Sequence, residues 1–232
     1  MYLFTVTICL LAAYGVLMAL YTRGHWNLRA FVAKGKTPQT KFSIVIPARN
    51  EAANIENCIA GILAQNYPSH LFELIVIDDF SEDETANIVA SLALQHNNVR
   101  LLRLQDFTKD ENIVAYKKRA IEIAIEQANH PWIVTTDADC SFTNNWLASY
   151  DAYIQEHNCV MIAAPVSYKN TGSFLSVFQV LDFISLQGIT AAAVGSGSHT
   201  LCNGANLCYS KEAFESVGKF SGIDHLPSGD DM

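Results

Sequence analysis

Five short runs rich in Val, Ile and Leu, spaced by helix-like segments, constrain this chain more than any other feature. They are FSIVIP (42–47), FELIVIDD (72–79), VRLLRL (99–104), WIVTTD (132–137) and CVMIAAP (159–165), each too short for a buried helix. Between them NEAANIENCIAGILAQN (50–66), SEDETANIVASLALQ (81–95), AYKKRAIEIAIEQA (115–128) and NWLASYDAYIQEH (145–157) carry helical spacing, with Asn50 read as the first N-cap and an acidic first turn in the second. Nearly continuous apolar strands alternating with helices predict an α/β fold, a mostly parallel sheet with helices on both faces. Ligands of such sheets sit beyond the carboxyl ends of the strands. Pro47, Ala48, Arg49, Asp78, Asp79, Asp137 and Asp139 all fall at strand ends and are expected to converge on one edge.

Asp137 and Asp139 stand on either side of Ala138. Two neighbouring carboxylates repel, so one takes up a proton or a cation neutralises them. Mg²⁺ and Mn²⁺ prefer oxygen ligands and use one or two carboxylates while leaving positions for substrate phosphates. An aspartate that attacks a phosphorylated substrate and a plain polar turn after a strand are the alternatives to a bound cation, and the spacing by itself leaves the three readings open.

The first residues follow different rules. YLFTVTICLLAAYGVLMALY (2–21) holds no charge and as a helix spans roughly 30 Å, the thickness of a bilayer core. Basic residues follow the apolar run rather than precede it, which favours a transmembrane anchor over a cleaved signal peptide. The same rule predicts a single-pass cell-membrane protein with its body in the cytoplasm. The expected organisation is an anchor (1–22), a basic juxtamembrane linker (23–41) that meets membrane lipid, and a catalytic domain (42–232) whose halves divide near residue 140. FLSVFQVLDFISLQGITAAAVG (174–195) is long and apolar but carries Gln179, Asp182 and Gln187, so it reads as an amphipathic or buried helix rather than a span.

Charge narrows the function. Six of the fifteen Lys and Arg lie before Glu51, leaving nine against all 23 acidic side chains in the body. A body of that sign is a poor nucleic-acid partner. The six cysteines show no C-x-x-C pair and read as scattered reduced thiols.

SIVIPARNEAANI, ELIVIDDFSEDET, KKRAIEIAI, TTDAD, NGANLCYSKEAFESVGKF and the late GDDM, in this order, resemble the family 2 glycosyltransferases over residues 42–232. The resemblance implies a GT-A-type, Rossmann-like fold that binds a nucleotide-diphosphate sugar. It places Pro47, Ala48, Arg49 and Glu51 in the base and ribose pocket, with Asp78 or Asp79, more so Asp79, accepting a hydrogen bond from the base. Lys117 would approach the diphosphate, with Lys118 or Arg119 as substitutes. Asp137, Ala138 and Asp139 would form the D-x-D, its two carboxylates holding Mg²⁺ or Mn²⁺, and Asn203, Gly204 and Ala205 would lie near the donor sugar. Asp230 and Asp231 would take the place of the family's E-D pair, Asp231 as the catalytic base.

What the resemblance implies is an inverting transfer to a glycan or lipid-linked acceptor at the cytosolic membrane face. Family members usually continue beyond the point where this chain stops, at Met232, so a C-terminally shortened acceptor half is expected. Two rival readings use the same residues. A haloacid-dehalogenase-like phosphatase also has a D-x-D and a later G-D-D, but begins near its D-x-D, whereas here a whole α/β half comes first. A membrane-tethered module that binds nucleotide without chemistry is the other.

Overall fold

The computed structural model describes residues 2–33, 35–108, 114–197 and 202–226. They fall into two compact units, one formed by residues up to 31 together with 165–202, the other by 32–164 with the chain from 203 onward.

In the first unit, α1 (Tyr2–Asn27) is exposed along nearly its whole length, with Gly24 its one buried residue. The second unit is the α/β body. In chain order it contains β1 (Phe42–Ala48), α2 (Ile55–Leu63), β2 (Phe72–Asp78), α3 (Thr85–Gln95), β3 (Val99–Arg103), the single turn α4 (Leu104–Phe107), α5 (Tyr116–Glu126), β4 (Trp132–Thr135), α6 (Trp146–Glu156) and β5 (Met161–Ala163). The chain then enters α7 (Phe174–Gly195) of the first unit and returns as β6 (Leu207–Ser210) and α8 (Lys211–Ser216).

The sheet order is β3-β2-β1-β4-β6-β5. Strands β1 to β4 run parallel, with Ala48 opposite Asp78 and Val45 opposite Thr135, while β6 runs antiparallel to both β4 and β5. The predicted mostly parallel sheet is therefore present, and its antiparallel member is the strand that periodicity alone missed.

Both faces are covered, as the apolar strands require. Side chains alternate across a strand: Ile44, Ile46, Leu74 and Val76 pack with Ile55, Ile59, Ile62 and Leu147 on one face, and Val45, Ile75 and Ile77 pack with Ile121, Ile123 and Ile125 of α5 on the other. Each such side chain contributes roughly 1.5–3 kcal/mol on burial. At the amino end of the sheet, buried Glu73 accepts hydrogen bonds from Ser43 Oγ (2.6 Å), Asn129 N (2.6 Å), Asn129 Nδ2 (2.8 Å) and Arg100 (3.1 Å). Buried Asp151 on α6 holds the entry to β1 by accepting from Thr40 N at 3.0 Å. These carboxylates are structural and lie away from the strand ends where ligands are expected.

Asn50 is not the N-cap of the first body helix. That helix begins at Ile55 behind Asn54, and Asn50 takes a left-handed backbone with φ 56°. Asparagine tolerates that region because its short side chain bonds locally. The segment 174–195 also departs from the buried alternative: of all its residues only Ser176 and Ala192 are buried.

Candidate active site

The loops that leave β1 and β2 are tied to each other before any ligand arrives. Asn50 N donates to Ser81 Oγ at 3.0 Å and Asn50 Oδ1 accepts from Glu82 N at 2.8 Å. Glu51 N donates to Thr85 Oγ1 at 2.8 Å, and Ala52 N to Asp83 Oδ2 at 3.1 Å. Glu51 itself accepts from Asn54 Nδ2 at 2.8 Å. Two adjacent βα loops thus form one preorganised wall, with half-buried Pro47, buried Ala48 and exposed Arg49 leading into it.

Asp78 and Asp79 lie at the floor of that wall. Both are buried, and among the described residues Oδ1 of each lacks a hydrogen-bond partner. Asp79 is held through its backbone, N–H to Ala48 O at 2.8 Å. Burial raises the Asp79 carboxyl above its ordinary value, neighbouring Arg49 pulls it down, and Asp78 pushes it up again; the net direction is upward. Buried acceptors without donors are costly, so these two oxygens are candidates for a ligand's N–H groups. Phe80 follows with φ 54°, an unusual conformation for an aromatic residue, and meets Tyr116 edge-on at 5.7 Å between ring centres. Neither aromatic stood out in the sequence, because a left-handed Phe has no compositional signature.

Two strands across, the turn after β4 carries half-buried Asp137, buried Ala138 and exposed Asp139. Strand spacing of about 4.8 Å puts this turn roughly 10 Å from the Asp78–Asp79 pair. The Asp137 carbonyl accepts from Cys140 N at 3.2 Å, which fixes the turn. Lys117, in the first turn of α5, reaches Asp137 Oδ1 at 3.1 Å, both side chains about 40% exposed. Lys118 does not serve as a substitute: it is buried, its Nζ donating to Ile223 O at 2.7 Å and Leu226 O at 3.1 Å. Arg119 donates to Glu122 at 3.0 Å.

Because β6 is antiparallel, the residues before it arrive at the same edge. Asn203 caps the 3-10 turn Gly204–Asn206 by accepting from Ala205 N at 2.9 Å, and Thr135 Oγ1 of β4 donates to Gly204 O at 2.9 Å. Behind the turn, Asn206 Oδ1 accepts from Trp146 Nε1 (2.8 Å) and Tyr150 Oη (2.7 Å). That buried knot supports the predicted sugar-side residues and was not anticipated. Its signal, an Asn three residues after Asn203, has meaning only once β6 is known. Asp230 and Asp231 lie outside the described residues.

The edge gathers five carboxylates, Glu51, Asp78, Asp79, Asp137 and Asp139, against Arg49 and Lys117. Among the described residues no cluster of three or more His, Cys, Asp or Glu could hold a metal ion unaided. A pair of carboxylates with open positions suits Mg²⁺ or Mn²⁺ sharing oxygen ligands with a substrate, so the donor set fits such an ion.

Residues 43–218 match the family model for glycosyl transferase family 2. The glycosyltransferase AglE of Haloferax volcanii is 28% identical over 192 residues, covering 82% of this chain and 58% of that protein. The poly-β-1,6-N-acetyl-D-glucosamine synthase of Staphylococcus epidermidis is 22% identical over 194 residues, 82% of this chain and 44% of that protein. The chain thus spans about half the length of these relatives. Among solved structures, the mannosyltransferase PcManGT from Pyrobaculum calidifontis, in complex with GDP-Man and Mn²⁺, superposes with TM-score 0.68 at 21% identity, over 95% of this chain and 61% of that one. Staphylococcus aureus TarS in complex with UDP-GlcNAc gives 0.52 at 18% identity, over 81% and 52%. At those identities the likeness establishes the GT-A fold.

Proposed function

This chain belongs to glycosyltransferase family 2, and from that premise we propose that it transfers a sugar from a nucleotide-diphosphate donor to a glycan or lipid-linked acceptor, with inversion at the anomeric carbon. The observation that carries this reading is the pairing of two buried aspartates at the end of β2, the Oδ1 of each without a hydrogen-bond partner among the described residues, with the Lys117–Asp137 ion pair on the same edge. The first suits a nucleobase, which presents N–H groups. The second suits a diphosphate, which draws a lysine.

Each residue then has a task. Asp79 accepts from the base, with Pro47, Ala48, Arg49 and Glu51 around the base and ribose. Lys117 turns from Asp137 to the diphosphate. Asp137 and Asp139 hold Mg²⁺ or Mn²⁺, which when bound supplies positive charge to the leaving diphosphate. Asn203, Gly204 and Ala205 border the sugar. The acceptor oxygen attacks the anomeric carbon and its proton passes to an Asp231 carboxylate oxygen, Asp230 orienting that base. The bond from the anomeric carbon to the diphosphate oxygen breaks, and its electron pair leaves with the nucleotide. α1 is the membrane anchor, its basic flank and the body facing the cytoplasm. PcManGT in complex with GDP-Man and Mn²⁺, and TarS in complex with UDP-GlcNAc, support the donor class. A screen of nucleotide sugars with Mn²⁺ on the membrane-embedded protein tests the reading, and failure to transfer or hydrolyse any of them would remove it.

Asp79→Asn separates binding from stability. A neutral amide is a weaker acceptor than a carboxylate, so nucleoside diphosphate affinity is expected to fall about tenfold or more. The unliganded protein is expected to gain about 1 kcal/mol, since the substitution removes a charge that burial and Asp78 disfavour. The folded carboxyl titrates above its ordinary value, so its cost is absent in acid below that ordinary value. The cost grows as pH rises through the folded value. Melting curves of both proteins should therefore coincide in acid and separate toward neutral pH, the variant melting higher.

A further inference from the structure

α7 is tethered at both ends to the α/β unit. Residues 164–173 lead into it from β5 and residues 196–202 lead out toward the turn before β6, and β5 and β6 are hydrogen-bonded neighbours. Both tethers therefore start on one side of any bilayer. At 22 residues the helix is long enough to cross, being about 33 Å. If it did, one tether would have to recross the hydrocarbon. The seven residues 196–202 reach at most about 25 Å fully extended, short of a core of roughly 30 Å. The ten residues 164–173 would carry Lys169, Asn170 and unpaired backbone groups through lipid, which irregular chain cannot do.

Nor is α7 a core helix. Phe174 is 90% exposed, Phe178 and Leu181 60% each, and Ile184 52%. Phe174, Phe178 and Leu181 share one face by i, i+4 and i+7 spacing and Ile184 lies at its edge, with Gln179 opposite and Asp182 at the flank beside exposed Leu175 and Leu186. The carboxyl end of α7 is locked to the carboxyl end of α1: a Cβ on Gly24 would overlap the Ala192 carbonyl oxygen, and one on Gly195 would overlap the Gly24 carbonyl oxygen. That contact lies beside Arg23 and Arg29, at the basic end of α1.

We infer that α7 is an interfacial helix that docks on the bilayer surface, with Phe174, Phe178, Leu181 and Ile184 in the headgroup–acyl boundary and Gln179 and Asp182 toward water. It carries no Lys or Arg, so this docking is apolar and independent of lipid charge. Lys34, Lys36 and Lys41 of the linker supply any preference for anionic lipid. The inference rests on α1 being a membrane span.

The test uses the full chain in phosphatidylcholine nanodiscs carrying Phe178→Trp, Ile184→Trp or Leu11→Trp, with emission read as the difference from the unsubstituted chain. Phe178→Trp and Ile184→Trp are expected to be quenched by lipid brominated near the carbonyls and spared by lipid brominated near the chain ends. Leu11→Trp is expected to show the opposite. Quenching of Ile184→Trp chiefly by chain-end bromine would mean that α7 crosses the bilayer, overturning the inference. No quenching at 178 and 184 while Leu11→Trp is quenched would mean that water, another segment or a second copy covers α7, and would also overturn it. Should Leu11→Trp escape quenching by both lipids, the anchor reading falls and the inference falls with it.

Discussion

Asp139→Ala is expected to reduce sugar transfer by about 10²–10³-fold, the typical loss when one preorganised charge-stabilising group is removed, and to abolish the metal dependence of donor binding. Asp139 is exposed, and among the described residues its carboxylate has only a 4.0 Å contact from the Cys140 thiol. The turn is held by backbone bonds and by the buried Ala138, so stability should stay within about 0.5 kcal/mol of wild type. Loss of activity with an unchanged melting curve therefore reads on ligand binding alone. Asp137 is a less clean target, because its removal also breaks the ion pair with Lys117. Transfer assays at saturating and limiting Mn²⁺ decide the matter. A variant whose activity is restored by excess Mn²⁺ has a weakened site; one with wild-type activity at every Mn²⁺ concentration excludes Asp139 as a ligand.

Asp231→Asn should separate binding from chemistry in the opposite sense. An amide keeps the shape of the carboxylate but takes no proton, so donor affinity is expected to persist while transfer falls by about 10²–10⁴-fold, the usual contribution of a general base. Single-turnover transfer and equilibrium donor binding, measured on the same preparation, check both halves. Transfer within a few-fold of wild type would exclude Asp231 as the base, and Asp230→Asn would then be the next substitution to measure. Lys118 is an internal comparison: its ammonium is occupied by the carbonyls of Ile223 and Leu226, and it contacts no predicted phosphate ligand.

The parts of the fold that were legible are those where one physical signal dominates. β1, β2 and β4 are buried on both faces, so their sequences are continuous apolar runs, and the aspartates that end them had to emerge on one edge once the strands were parallel. β6 was not legible. Its four residues LCYS are too few for a period, and its direction follows from pairing with β4, not from anything local. Asn50 was misread because a polar residue before a helical pattern resembles an N-cap; the competing demand was the left-handed turn that lets its side chain bond the neighbouring loop. The same long-range knitting explains why Thr85, Ser81 and Asp83, ordinary residues in sequence, define the wall beside Asp79. α7 reads in the sequence as a core or amphipathic helix because composition cannot tell a buried apolar face from an exposed one. Of all its residues only Ser176 and Ala192 are buried, which makes it no core helix.

The central claim is electrostatic. An edge with five carboxylates and two cations repels a diphosphate unless a divalent ion joins it. The most direct measurement is calorimetric titration of the unsubstituted protein with uridine and guanosine diphosphates, once with Mn²⁺ and once with EDTA. The account predicts saturable binding of at least one of them with Mn²⁺, weakened about tenfold or more, or by at least 1.4 kcal/mol, when the metal is removed. Equal affinity with and without the metal, or no binding of either nucleotide at saturating Mn²⁺, would contradict it.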